Sequence, residues 1–155
     1  MAKQKKPTHD DAALVLKLYN LRRETELRKA RNFLVVEFWP ESADDIMKLI
    51  QDFGSQHNAW FRQGLTYWDM ACSLVLRGIV HEGLFLDWGG ELHFLYAKFR
   101  PFLKEVREKS QAPELMARIE QVVLNTKEGR ERVAKLEKRI AMRRQMLKQA
   151  AAARA

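Results

Sequence analysis

Between Gln56 and Ile79 the apolar residues fall into two neighbouring rows. Phe61, Leu65, Trp68, Cys72, Val75 and Ile79 advance by 4, 3, 4, 3, 4, and Trp60, Gly64, Tyr67, Ala71 and Leu74 advance by 4, 3, 4, 3 beside them. This is the period of an α-helix, and the two rows leave only a narrow polar row of Arg62, Thr66, Asp69, Ser73 and Arg77. A helix with that much apolar surface must be covered from more than one side. The segment from about Gln56 to Arg77 is therefore expected at the centre of a helical bundle, with Gly78 as its stop.

The rest of the chain repeats the helical period. Asn-Gly and Asp-Gly hairpin turns are absent, as is any sustained alternation of apolar and polar residues. Thr8, followed by Asp10 and Asp11, marks the start of a first helix expected to run from about Asp10 to Phe38 and to end before Pro40. Its core face is clear at Leu14, Leu18 and Leu21 and again at Leu27, Ala30 and Leu34, while the charged middle, Arg22 to Glu26, is expected to stand clear of the core. Ser42 and Asp45 form a capping box that opens a short helix through Phe53, ended by Gly54. A fourth helix carries the stripe Phe85, Trp88, Leu92, Leu95, Phe99, Phe102 and Val106, with Pro101 inside it. A last helix opens near Glu114 and continues through Val133, Leu136, Ile140 and Leu147, with Gly129 costing it ~1 kcal/mol relative to Ala. The expectation is an all-α bundle of about five helices. Its first and last helices, roughly 45 and 50 Å long at 1.5 Å per residue, are expected to extend past the compact middle; paired with each other they would set Glu24 and Glu26 against basic residues of the last.

Charge divides the chain differently from hydrophobicity. The net charge is +8, with Lys3, Lys5 and Lys6 in the first six residues and ten cations in residues 125–155 against Glu128, Glu131 and Glu137. Residues 7–124 then hold 15 cations and 17 acids. The organisation expected is a basic disordered N-terminus over 1–9, a helical bundle over 10–124 and a basic helical C-terminal extension over 125–155. Basic extensions meet nucleic acid, an anionic membrane or an acidic protein, and charge alone does not choose among them. The lone Cys72 forms no internal disulfide, and the N-terminal segment lacks the apolar stretch of a signal peptide, so a reducing cytoplasm is expected. No run approaches the roughly 18 apolar residues of a spanning helix.

Candidate chemistry is sparse. The segment His81 to His93 is rich in His, Asp and Glu, but the residue four after His81 is Phe85, so a zinc-protease pair fails, and no Glu-x-x-His of a di-iron bundle occurs. Asp87 and Glu91, four apart, share a helix face and keep open a weak carboxylate site, outweighed by the reading of a solvated face. No metal and no cofactor is expected. Cys72 lies in an apolar row with no base beside it and reads as a buried thiol. Arg62, Asp69 and Arg77 form a polar seam on the central helix, a candidate for enzyme chemistry if they line a pocket. Arg132, Lys135, Arg139, Arg143 and Arg144 form the candidate partner-binding surface.

Four stretches carry a family resemblance: Ala30-Arg31-Asn32-Phe33 leading to Pro40, Trp60-Phe61-Arg62 to Trp68, Leu76 to Glu82 before Leu84-Phe85, and Phe102 to Arg107 after Pro101. Over about residues 30–123 the chain resembles an uncharacterised bacterial all-helical family, a domain of unknown function. That resemblance implies a helical bundle and no reaction. The leading functional expectation is a non-enzymatic helical module for protein interaction or oligomerisation. Its rivals are a nucleic-acid-binding accessory protein acting through the basic C-terminal helix and an enzyme using the Arg62, Asp69, Arg77 seam.

Overall fold

The computed structural model describes residues 6–153, which form helices and turns with no strand among them. The helices are α1 (His9–Leu21), α2 (Thr25–Asn32), α3 (Ala43–Gln51), α4 (Gln56–Leu76), α5 (Glu82–Asp87), α6 (Gly90–Ser110), α7 (Ala117–Leu124) and α8 (Lys127–Ala152), and a π-helical turn, Phe33–Glu37, follows α2. Of the N-terminus expected to be disordered, residues 1–5 lie outside the described residues, whereas Thr8 caps α1 and His9 begins it.

The bundle is all-α, but the described residues form eight α-helices where about five were expected, because the first, fourth and last expected helices are each broken in two. The first breaks at Arg22–Glu24, where the Glu24 carboxylate accepts from the backbone N–H groups of Glu26 and Leu27 and so starts α2 as a new helix. The fourth breaks at Trp88–Gly89, and Trp88, expected in the core stripe, is 58% exposed. The last breaks at Asn125–Thr126, where the Thr126 hydroxyl accepts from the Gly129 N–H and opens α8. Gly129 is required at that corner, since a Cβ there would stand 2.3 Å from the Val123 carbonyl oxygen. Pro101 lies inside α6 without ending it.

The expected capping box forms, with Ser42 and Asp45 exchanging bonds at the start of α3, and the structure adds a second at α1, where Thr8 and Asp11 do the same. α4 is the central helix, burying Phe61, Leu65, Trp68, Cys72 and Val75 from one row and Gly64, Tyr67 and Ala71 from the other. It packs on α2, α3 and α7, while α6 packs on α3 and α8. Gly64 lets α2 and the π turn close onto α4, since a Cβ there would meet the Leu34 side chain at 2.3 Å.

The first and last helices do not pair with each other. Glu24 is occupied as a cap, Glu26 pairs with Lys29, and the basic last helix lies along α6 and α7 with Val133 and Ile140 fully buried. The physical reason is that the apolar seam of α8 finds its complement in α6, which buries far more surface than a charged face laid against α1.

Candidate interaction surface

α8 presents two faces. Inward, Gly129, Val133 and Ile140 are buried and Leu136, Glu137, Arg144 and Leu147 half-buried. Arg144 belongs to this side: its Nη2 donates to the Lys98 carbonyl at 2.8 Å and its guanidinium lies 5.0 Å over the Phe102 ring. Burial holds its pKa below the usual arginine value. Arg144 therefore leaves the expected partner-binding set, because its long side chain folds back onto the Phe102 ring and the Lys98 carbonyl.

Arg132, Lys135, Arg139 and Arg143 are exposed, and their spacing of 3, 4 and 4 places them in one stripe about 17 Å long, at one end of which the Arg132 guanidinium reaches beside Gly90 of α6. No ion pair holds any of these four among the described residues, whereas Lys127 pairs with Glu131, Arg100 with Glu137, and Lys148 with Glu41. Met142 and Met146, 54% and 59% exposed, lie on the same side of the helix. Like charges four apart on a helix destabilise it by ~0.2–0.5 kcal/mol per pair, so Lys135/Arg139 and Arg139/Arg143 are held together at a cost to the free protein.

The polar seam does not converge. Arg62 Nε donates to Asn58 Oδ1 at 2.9 Å, Asp69 pairs with Arg118 of α7, and Arg77 caps the end of α4 with its Nε 3.4 Å from Ser73 Oγ. Over the fifteen residues from Arg62 to Arg77 the helix rises roughly 22 Å, and each side chain takes a different partner. The carboxylate pair is likewise separated, since the helix break leaves Asp87 exposed at the end of α5 and draws Glu91 into α6. His81 is in the turn as read: its Nδ1 accepts from the Leu84 N–H, and its own N–H donates to Asp11. Cys72 is buried, and burial pushes its thiol up to about 12. Among the described residues no three His, Cys, Asp or Glu gather as metal ligands.

Two charged sites were not read from the sequence. Glu91 is clasped by Arg31 (Nε 2.9 Å) and Arg22 (3.1 Å), with Trp68 Nε1 at 3.3 Å and the Arg22 guanidinium 5.1 Å over the Trp68 ring. Burial raises the Glu91 carboxyl, but the hydrogen bonds and charges of the two arginines outweigh it and hold the pKa below the usual value. This cluster ties the α1–α2 corner to the start of α6. Lys98 is fully buried on α6, donating to Leu34 O at 2.7 Å with Nζ 4.1 Å from the Trp39 ring centroid. It satisfies carbonyls that the π turn leaves open. Its one sequence signal was a lone lysine inside the apolar run Leu95 to Phe99.

No helix of the described residues is long and apolar enough to cross a membrane. A family model for a domain of unknown function, DUF4760, matches residues 7–126, which leaves the whole of α8 outside the match. No curated protein and no solved structure matches the chain.

Proposed function

The chain belongs to the DUF4760 family, a description that carries no activity, and from its own geometry we propose a non-enzymatic interaction module that docks an acidic protein segment on the outward face of α8. The observation that supports this reading is the stripe of Arg132, Lys135, Arg139 and Arg143, exposed and without ion-pair partners among the described residues. The apolar seam expected to drive oligomerisation is spent inside the chain, with Val133 and Ile140 buried against it. Charge is what α8 has left to offer.

A protein partner is favoured over nucleic acid by what flanks the stripe. Met142 and Met146 supply adaptable apolar contact, and methionine and arginine are enriched where proteins meet proteins. No aromatic residue occurs in α8 for stacking on exposed bases.

The test compares the protein with a variant carrying Gln at 132, 135, 139 and 143, using poly-glutamate, single-stranded RNA and anionic vesicles as probes at low and physiological salt. Poly-glutamate binding that the variant loses at least tenfold, with the melting temperature unchanged or slightly raised, supports the reading. Equal binding by both proteins overturns it. RNA bound more tightly than poly-glutamate, with a steep salt dependence, hands the surface to nucleic acid.

A further inference from the structure

A pocket of about 590 Å³, its open mouth included, lies between α3, α4 and the corner that follows α6, and it shares no residue with α8. Its apolar wall comes from Ile50, Phe53, Phe61 and Leu115. Phe53 stands at the Gly54 turn, where a φ of +91° swings the chain, and is 79% exposed, the most exposed large hydrophobic residue among those described. Its lining is that of a small-molecule site, apolar with few polar groups.

The polar group at this pocket is held in place by a relay. Asn58, 1% exposed, donates through Nδ2 to the carbonyl oxygens of Leu49 (2.9 Å) and Ile50 (3.0 Å) at the end of α3. That fixes which way its amide points and turns Oδ1 to accept from Arg62 Nε at 2.9 Å. Arg62, the first residue of the polar seam, is thereby aligned along the pocket, and neither Nη has an acceptor within the described residues. A guanidinium engaged through Nε keeps the edge formed by its two terminal nitrogens, and that edge matches the two oxygens of a carboxylate.

The geometry points to a binding site for a small apolar monocarboxylate, its hydrocarbon part against Ile50, Phe61 and Leu115 and its carboxylate on the free edge of Arg62. One fixed cation beside an apolar wall matches one negative charge on an apolar body. Phe53, exposed at the mouth, gains cover when the site is filled. Of the three residues read as a seam, Arg62 alone keeps a site, because Asp69 and Arg77 are drawn to Arg118 and Ser73.

The experiment is a titration of the full chain, methyl-labelled at Ile and Leu, with octanoate and separately with 1-octanol as the neutral control. Saturable shifts at the Ile50 and Leu115 methyls are expected with octanoate. Arg62→Gln should weaken binding roughly tenfold or more, as loss of a charge-assisted pair does, and Phe53→Ala should weaken it less. Arg62 is exposed, so its variant is expected to keep the native spectrum away from the pocket. The proposal is overturned if no saturable shift appears, if the shifts centre elsewhere on the surface, or if 1-octanol and Arg62→Gln reproduce the octanoate result.

Discussion

Trp68→Ala is the sharpest probe of how the core joins the charged cluster above it. Trp68 is 2% exposed and stands edge-on to Tyr67 (5.1 Å between centroids) and Phe85 (6.4 Å). Truncating a buried tryptophan costs ~3–5 kcal/mol in lost burial and residual cavity. Losing the bond from Nε1 to Glu91 and the stacked Arg22 adds little beyond this, since Glu91 keeps both arginines. A loss of ~4 kcal/mol corresponds to a fall of roughly 8–16 °C in Tm for a domain of this size. Trp68→Phe keeps an aromatic ring and loses the N–H, so ~1–2 kcal/mol is expected. Asp69→Ala, one residue on, should cost under ~1 kcal/mol because its pair with Arg118 is solvated. Urea unfolding followed by circular dichroism measures all three on one scale. Should Trp68→Ala fall within 1 kcal/mol of the native protein, or Asp69→Ala exceed it, the facing assigned to α4 is wrong.

Lys98 gives a pH signature: burial pushes it down to about 7, so the folded state binds fewer protons than the unfolded one between about 7 and the ordinary lysine value near 10.4. Stability should therefore rise from pH 7 to 9, by ~2 kcal/mol. Lys98→Met should flatten that rise in urea midpoints, and equal slopes in the two proteins would refute the assignment. Replacing Ile140 with Ser should destabilise α8 by ~2–4 kcal/mol, read as faster amide exchange from Lys127 onward, because the residue is 2% exposed; unchanged exchange would mean that α8 is not docked. Gly64→Ala, favourable in an open helix, should here lower Tm because Leu34 must move, and a higher Tm would show that the α2–α4 contact is looser than drawn.

What the sequence determined was local. The spacing of Phe61 to Val75 placed the buried face of α4, and the Ser42–Asp45 box and Thr8 with the acids that follow it marked helix starts, because each involves residues within a few turns of each other. Gln56 to Arg77 was also legible as the central helix, since two apolar rows admit no other place. Tertiary contacts decided where the long helices break. At the α1–α2 corner Arg22 and Arg31 are drawn across the fold to Glu91, and Gly129 marks a corner because the Val123 carbonyl lies against it. Periodicity survives such breaks, so α1 and α2, α5 and α6, and α7 and α8 each read as one helix. The stripe on α8 was legible as charge, but which cations face outward was not: Arg143 and its neighbour Arg144 carry the same group, and only the position of Phe102 and the Lys98 carbonyl turns one of them inward. Lys98 itself was invisible as a buried cation, because the carbonyls and the ring that hold it come from residues about sixty positions away, and no spacing along the chain records a contact made across the fold.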